Sequence, residues 1–192
     1  MLKKPSVSIF NNYASQLATC LQEYDWRPVE LLTEELASVW HSKRNLFLCG
    51  NGGSAANALH LATDLIYGIG KGIRPGMKVH ALTSNAAVMT CLGNDTSYAQ
   101  IFSCQLEALS HPGDVLIVFS GSGNSKNILR ALEKAKSLGV TTWALLGFSG
   151  GEAKKLADHS IHFPIDDMQL AEDLHMIVGH MLMKALSQTH LS

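Results

Sequence analysis

The chain has 192 residues, of which 46% are hydrophobic and 16% are charged, and its formal net charge at pH 7 is -1. This composition excludes a disordered protein and is typical of one compact domain over residues 1–192. The 15 basic residues form no tract, so we expect no electrostatic binding to nucleic acid or to an anionic membrane. The sequence contains neither a secretion signal nor an apolar run of membrane-spanning length. We therefore expect a cytoplasmic protein.

The cysteines give no sign of a disulfide framework or of a metal-binding pair. They are Cys20, Cys49, Cys91 and Cys104, and no two of them form a C-x-x-C motif. Cys49 and Cys91 lie in apolar stretches, so both are predicted to be reduced residues of the core.

The beginning of the chain predicts a pair of amphipathic helices. Apolar side chains recur at helical spacing over residues 8–43, and the pattern is interrupted near Pro28. Residues 1–44 are therefore assigned to an N-terminal helical pair. The periodicity changes after them, so residues 45–192 are assigned to an α/β core that ends in a long helix.

The core alternates short apolar strands with helices. Strands are predicted at residues 45–49, 78–82, 114–119, 140–146 and 160–164. Helices are predicted at residues 55–66, 128–138 and 168–187, with a further short helix after the fourth strand. Such alternation predicts a parallel sheet of about five strands that is covered by helices on both faces.

Two of the strand–loop–helix junctions are rich in glycine and serine. They are Gly50-Asn51-Gly52-Gly53-Ser54 and Ser120-Gly121-Ser122-Gly123-Asn124-Ser125. Glycine lets the backbone approach an anion, while hydroxyls and free N–H groups at a helix start donate to it. Ligands of an open parallel sheet collect at the carboxyl ends of the strands, where these loops lie. The pair of loops therefore predicts a site for a phosphate monoester.

The alternative is that both loops are ordinary turns whose serines cap the following helices. One such loop would not decide between the two interpretations. Two of them, each after a buried strand, favour phosphate binding. The second loop lacks both the Lys-Ser/Thr of a P-loop and the spacing of the dinucleotide fingerprint, so nucleotide binding is not expected.

His60 and Asp64 lie four residues apart on the helix after the first loop, so their side chains share one face. Such a pair can bind a metal or take part in proton transfer, although it can equally be a surface ion pair. The last helix adds Glu172, His175 and His180. Glu172 and His180 are roughly 12 Å apart along a straight helix. The histidines of this apolar helix could also be core or interface residues.

The two loops, together with Gly93-Asn94-Asp95, resemble motifs of the phosphoheptose isomerases, a branch of the SIS (sugar isomerase) proteins. The resemblance runs from about residue 10 to the C-terminus. It implies one SIS domain over residues 1–192 with a flavodoxin-like, three-layer αβα sandwich around a five-stranded parallel sheet. Members are usually homotetramers with sites between subunits, and they usually supply heptose for surface polysaccharide.

The resemblance also assigns roles to individual residues. A first set would bind the sugar phosphate, with the phosphate on the serines of the second loop: Asn51, Gly52, Gly53, Ser54, Asp95, Ser120, Gly121, Ser122 and Ser125. A second set would bind Zn²⁺: His60, Asp64, Glu172 and His180. Asp64 and His180 would also move a proton between C1 and C2 of the sugar through an enediol, which converts ketose to aldose.

The chain departs from the family pattern at several of these positions. Asp64 stands where the family has a glutamate, and Glu172 stands where it has a glutamine. Gly68 replaces an arginine, and Gln169-Leu170 replaces Asp-Arg. The added charge of Glu172 would strengthen a metal site and weaken anion binding. These differences leave the identity of the sugar phosphate open.

Three functional hypotheses follow. The first is an aldose–ketose isomerase of sedoheptulose 7-phosphate or a similar sugar phosphate. The second is a non-catalytic SIS protein that senses a sugar phosphate or binds a protein such as the replication initiator. The third is an isomerase-like subunit whose partner chain carries the activity. His60 and His180 are both present, and this favours the enzyme.

Overall fold

The computed structural model describes residues 7–71 and 73–188. The strands are β1 (Asn45–Gly50), β2 (Lys78–Ala81), β3 (Val115–Ser120), β4 (Thr141–Leu146) and β5 (His159–His162). The helices are α1 (Val7–Glu23), α2 (Arg27–His41), α3 (Gly53–Thr63), α4 (Ala86–Asp95), α5 (Ser103–Leu109), α6 (Lys126–Ser137), α7 (Ala153–Leu156) and α8 (Met168–Gln188). A π-helical turn, Asp64–Gly68, continues α3, and a 3₁₀ turn spans Tyr98–Gln100.

The five strands form one parallel sheet in the order β2-β1-β3-β4-β5. Alternate residues of each central strand point to opposite faces, as Leu46 and Phe47 of β1 do. One face packs against α2, α3 and α8, and the other packs against α5 and α6. Because both faces are covered, β3 is buried along its whole length. The predicted three-layer αβα sandwich with an N-terminal helical pair is confirmed.

The strand order places the two glycine- and serine-rich loops next to each other. The chain runs outward from β1 to β2 on one side and from β3 to β5 on the other. The order therefore reverses between β1 and β3, which leaves a crevice at the carboxyl ends of these two strands. The loop after β1 and the loop after β3 form the walls of this crevice.

The segment between the second and third predicted strands differs from the expectation. It contains α4 and α5, for which the sequence analysis predicted no element. None of the residues of α4 is buried, and Cys91 on this helix is exposed. The prediction that Cys91 belongs to the core is wrong, because its apolar neighbours lie on a helix at the surface. Cys49, on the central strand β1, is buried as predicted.

The N-terminal helices contribute to the core unequally. Trp40 of α2 is buried, and its indole N–H donates a hydrogen bond to the backbone carbonyl of Pro75. By contrast, no residue of α1 is buried. Across the described ranges, every helix is too short or too polar to cross a bilayer.

Candidate active site

A cavity of about 250 Å³ lies at the crevice between β1 and β3. We call it the serine cavity, and it is lined by Asn51, Gly52, Gly53, Ser54, Phe119, Ser120, Gly121, Ser122, Ser125, Met168 and Glu172. All the residues that the sequence analysis assigned to sugar phosphate are therefore in its wall, except Asp95.

The first wall of the serine cavity is the start of α3. Gly52 precedes this helix with a φ of 57°, a left-handed conformation that glycine adopts without strain. The turn leads the chain directly into Gly53 and the buried Ser54, so the first backbone N–H groups of α3 lie at the cavity. N–H groups at a helix start lack carbonyl partners within the helix and attract negative charge.

The second wall is the loop of residues 120–125 after β3, which we call the serine loop. Two of its hydroxyl oxygens accept hydrogen bonds from backbone N–H groups of the same loop. The Ser120 oxygen accepts a hydrogen bond from the Gly123 N–H at 3.1 Å, and the Ser122 oxygen accepts one from the Asn124 N–H at 3.3 Å. Both hydroxyls keep their own proton, which they can donate to a phosphate oxygen. Ser125 precedes α6 but makes no capping hydrogen bond with its side chain. The capping interpretation therefore fails for Ser125.

A pair of amides joins the two walls. The Asn51 Nδ2 donates to the Asn127 Oδ1 at 2.9 Å, and the Asn127 Nδ2 donates back to the Asn51 Oδ1 at 2.8 Å. The Tyr98 hydroxyl also donates to the Asn51 Oδ1, at 3.0 Å. The carbonyl end of Asn51 is thus occupied, and one N–H of its amide remains for a ligand.

The sequence analysis missed Asn127 and Tyr98. Asn127 is only 2% exposed, and a buried amide requires a partner. The sequence could have indicated Asn127, because it lies only two residues after the serine loop. Tyr98 lies in a 3₁₀ turn of the segment whose structure was not predicted, so the sequence gave no indication of it.

Asp95 lies at the end of α4, outside the wall of the serine cavity. Its carboxylate accepts hydrogen bonds from the Asn94 amide at 2.8 Å and from the Cys91 thiol at 3.3 Å. These bonds hold the pKa of Asp95 below its usual value. It is three residues from Tyr98, whose hydroxyl donates to Asn51 of the cavity wall. The assignment of Asp95 to the substrate remains a prediction.

A second centre, which we call the His–Asp–His group, consists of His60, Asp64 and His180. The Nε2 atoms of the two imidazoles are 3.0 Å apart. The Asp64 Oδ2 is 3.5 Å from the His60 Nε2 and 3.9 Å from the His180 Nε2. The structure therefore brings together three of the four residues that the resemblance assigned to a metal.

Local structure explains this convergence. His60 lies in the last turn of α3, and Asp64 begins the π-helical turn that follows. Such wide turns are frequent at functional sites, because they redirect a side chain from the regular helical path. His180 follows Gly179, whose Cβ position would be 3.5 Å from Leu61 of α3. The small residue lets α8 pack closely on α3 beside the group.

The residues of the His–Asp–His group fit a divalent transition metal. Zn²⁺ accepts imidazole nitrogen and carboxylate oxygen at about 2.0–2.2 Å, so two ligand atoms of a tetrahedron are roughly 3.3 Å apart. The three observed separations bracket this value. Three protein ligands also leave one position for water or substrate, which is the arrangement of catalytic zinc sites.

Glu172 is not in this group. It lies two turns before His180 on α8, and its carboxylate is directly over the Cα of Gly53, in the serine cavity. A Cβ at Gly53 would overlap the carboxylate, so a side chain there would require Glu172 to move. The assignment of Glu172 to the metal stays a prediction that this placement does not support.

His175 is fully buried and takes no direct part in either centre. Burial lowers its pKa to about 4, so the imidazole is neutral at pH 7. Neither ring nitrogen is in hydrogen-bond geometry with a described residue. The interpretation of this histidine as a core residue is confirmed. His180 is exposed and so does not belong to the core of this chain, while its interpretation as an interface residue stays a prediction.

The two centres share the same pair of helices. Gly53 and His60 are both on α3, seven residues or about 10 Å apart along the axis. Glu172 lies in the second turn of α8, and His180 lies near the middle of the same helix. An open-chain sugar of six or seven carbons with a terminal phosphate has a comparable length. The site can therefore hold a phosphate at one end and present titratable groups to the other end of the molecule.

Comparison with known proteins agrees with this geometry. A model of the SIS domain family matches residues 9–147. The phosphoheptose isomerase of Akkermansia muciniphila is 45% identical over 137 residues, which are 71% of this chain and 72% of that protein. The chain belongs to the SIS family, in the group of the phosphoheptose isomerases.

Two further members of the group extend the match. A phosphoheptose isomerase of Helicobacter pylori is 41% identical over 84% of this chain and 82% of its own length. The structure of a phosphoheptose isomerase from Francisella tularensis superimposes with a TM-score of 0.91 at 28% identity, covering 97% of this chain and all of that one. The likeness to this group therefore includes α8, which lies beyond the part matched by the SIS model.

Proposed function

We propose that this chain is an aldose–ketose isomerase of sedoheptulose 7-phosphate or a closely similar sugar phosphate. The observation that carries the proposal is the pairing of the serine cavity with the His–Asp–His group on one pair of helices. The cavity offers hydroxyl and N–H donors to a phosphate, and the group offers a carboxylate and two imidazoles about 10 Å away. Phosphoheptose isomerases are also among the relatives that the chain resembles.

The chemistry needs a base and an acid at adjacent carbons. Isomerisation of a ketose removes a proton from C1, passes through an enediol and returns a proton to C2, while a hydroxyl proton moves from O1 to O2. A carboxylate such as Asp64 suits the first step, and an imidazole such as His180 can exchange the hydroxyl protons. Their side chains are close enough to act on neighbouring atoms of one substrate.

We propose that Zn²⁺ binds to the His–Asp–His group, with His60, Asp64 and His180 as its ligands. The support is the ligand set and its spacing. When bound, the ion supplies positive charge next to the sugar oxygens. A ligand role and a proton-transfer role for Asp64 and His180 make different predictions, because only the first makes activity depend on the metal.

We also propose a homotetramer in which a second copy covers the outer face of α3. Leu59, Ile66 and Tyr67 lie beside the His–Asp–His group and are 41–69% exposed. An apolar groove of about 690 Å³ runs between this helix and β2. Apolar surface next to a polar site is typical of an interface between subunits. Light scattering that gave a stable monomer would contradict this proposal.

The experiment that tests the function is a turnover assay. Purified protein, before and after treatment with a chelator, is incubated with sedoheptulose 7-phosphate, and the aldose product is followed by NMR. We expect conversion that is lost on chelation and restored by Zn²⁺. Conversion that does not depend on metal would support the proposed isomerase activity and contradict the proposed zinc site. Absence of conversion under all conditions, with fructose 6-phosphate as a second substrate, would contradict the isomerase.

A further inference from the structure

A second cavity lies at the edge of the sheet opposite the serine cavity. We call it the basic pocket; its volume is about 550 Å³, and its wall includes Trp40, Lys43, Arg74, Pro75 and Lys78. These residues come from the end of α2, from the turn before β1 and from the connection that leads into β2. The pocket is therefore at the amino ends of β1 and β2, and the length of β1, roughly 17 Å, separates it from the serine cavity.

The charged side chains of the basic pocket are all cationic. Lys43, Arg74 and Lys78 line it, and none of the described residues in its wall is acidic. Residues 36–94 contain five basic residues and one acidic residue, Asp64, although the whole chain has a net charge of -1. Asp64 belongs to the His–Asp–His group and is not in the wall of this pocket. The fold thus brings together cations from a region of the chain that is poor in carboxylates.

The two lysines of the pocket differ from most basic side chains of the helices. Five of those side chains form ion pairs with carboxylates, as Lys136 of α6 does with Asp158 at 3.0 Å. Lys43 and Lys78 are exposed, and no carboxylate of the described chain lies within ion-pair distance of either. Their ammonium groups are therefore available to the anionic groups of a ligand.

Arg74 is held in place by its surroundings. Its guanidinium lies 4.2 Å from the centroid of the Trp40 ring, and its Nη2 donates to the Leu186 carbonyl of α8 at 3.3 Å. The Trp40 indole N–H in turn donates to the Pro75 carbonyl at 3.1 Å. A guanidinium that is already fixed loses little freedom when it binds a phosphate group, for which its planar set of donors is well suited.

We propose that the basic pocket is a second ligand site, which binds organic diphosphates. Two linked phosphates bring about three negative charges at pH 7, and three cations line the pocket. Trp40 and Pro75 supply an apolar part of the wall that can contact a carbon skeleton. The volume is within the range of small-molecule sites and more than twice that of the serine cavity. The cations surround a concave pocket rather than an extended stripe, which favours a small molecule over nucleic acid.

The number of cations determines the expected selectivity. At about 4 Å, the attraction between two opposite unit charges increases affinity about fivefold even at the dielectric constant of water. The two lysines together should therefore contribute at least about tenfold to the binding of a diphosphate. A monophosphate carries less charge and should bind more weakly. Because salt screens exposed charges, the affinity should also decrease as the ionic strength rises.

The test compares the double variant Lys43→Gln/Lys78→Gln with the unmodified protein. Calorimetry in the absence of Mg²⁺ measures the dissociation constants of ADP and AMP, two probes that share an organic group and differ by one phosphate. We expect the unmodified protein to bind ADP more tightly than AMP. The variant should lose at least about tenfold in affinity for ADP. Thermal melting verifies that the variant is folded, which we expect because both side chains are exposed.

The matched control is Arg27→Gln/Lys155→Gln, which removes the same amount of charge from the start of α2 and from α7. These side chains form exposed ion pairs with Glu30 and Glu152, and they are not in the wall of either cavity. The control should bind ADP as the unmodified protein does. An equal loss of affinity in both double variants would mean a general effect of charge and would overturn the proposal.

A second measurement needs no variant. Acetic anhydride acetylates exposed lysines, and mass spectrometry gives the extent of acetylation at each of them. Saturating ADP should protect Lys43 and Lys78 and leave Lys155 unchanged. Binding of ADP that protects neither pocket lysine would overturn the proposal, and so would the absence of ADP binding at millimolar concentration. The pocket and the proposed isomerase site consist of different residues, so this result is independent of the turnover assay.

Discussion

The serine cavity and the His–Asp–His group are about 10 Å apart on the same two helices, yet they are built differently. The cavity is made of loops that follow neighbouring parallel strands, and its donors are backbone N–H groups and short hydroxyl side chains. The group is made of side chains from two helices that are 120 residues apart in the sequence. Local helical spacing brings His60 and Asp64 together, but the position of His180 depends on the packing of α8 against α3.

This difference has a consequence for mutation. Each donor of the cavity is one of several, so losing one should weaken binding and leave the chemistry intact. In the proposed chemistry each member of the His–Asp–His group has a distinct role, so losing one should reduce the rate. The two centres can therefore be separated by variants that change either the KM or the kcat.

The largest expected effect is on the group. Asp64→Asn keeps the shape of the side chain but removes its basicity, and we expect kcat to fall about 10²–10⁴-fold with a smaller change in KM. The measurement is steady-state turnover with sedoheptulose 7-phosphate. Asp64→Glu is the matched variant, because it restores the carboxylate on a longer chain and should recover measurable turnover. Full activity in Asp64→Asn would show that this residue does not catalyse.

The second prediction concerns the helix that joins the two centres. His175 lies on α8 between Glu172 and His180, and its pKa in the folded protein is about 4, compared with 6.5 in the unfolded chain. As the pH falls from 6.5 towards 4, the unfolded chain binds a proton that the folded protein does not. The free energy of unfolding should therefore decrease over this window, by at most about 3 kcal/mol, while above pH 6.5 this contribution is constant.

Denaturant unfolding at pH 7 and at pH 4.5 measures this effect. The variant His175→Leu has no titratable group at this position, so its stability should depend less on pH than that of the unmodified protein. The comparison uses the difference between the two pH values, so it is insensitive to a change in overall stability. An identical pH dependence in both proteins would contradict the assignment.

The third prediction tests the amide pair that joins the walls of the cavity. Asn127→Ala leaves the Asn51 amide without its buried partner, and we expect the free energy of unfolding to fall by about 1–3 kcal/mol. The KM should rise as well, because Asn51 is no longer held. Asn12→Ala, which changes an exposed asparagine of α1, is the control. A loss of stability without any change in KM would limit Asn127 to a structural role.

The smallest expected effect is on a single hydroxyl of the cavity. Ser122→Ala should raise the KM about tenfold, the value of one hydrogen bond to a charged phosphate, with little change in kcat. Ser137→Ala is the matched control, since this hydroxyl donates to the Lys134 carbonyl at the exposed end of α6. If Ser122→Ala lowered kcat as strongly as Asp64→Asn does, the two centres would not be separable.

The contrast between the centres also explains which features could be predicted from the sequence. The strands and the two loops follow from short-range patterns, so the sequence correctly predicts the sheet and places the serines together at its edge, while their role in phosphate binding stays a prediction. The spacing of His60 and Asp64 indicated a shared face, but nothing local placed His180 beside them; that came from the family resemblance. Asn127, Tyr98 and the exposed position of Cys91 depend on tertiary contacts of a segment with weak periodicity.

Glu172 illustrates the same limit. Helix geometry indicated that it is far from His180 along α8, but the sequence could not tell which part of the molecule its carboxylate faces. That depends on how α8 crosses α3, and the crossing brings the side chain onto Gly53. The sequence therefore showed that an acidic residue stands at position 172, but it did not show that its carboxylate contacts Gly53.

The position of α8 in the chain has a consequence for synthesis and folding. It follows all five strands, so a growing chain has the complete sheet and both loops before it contains Glu172 or His180. Until α8 docks, the nascent protein has the donors of an anion site, but it lacks both the third member of the His–Asp–His group and the acidic residue in the cavity. Cleavage in the connection between β5 and α8 would likewise separate phosphate recognition from chemistry.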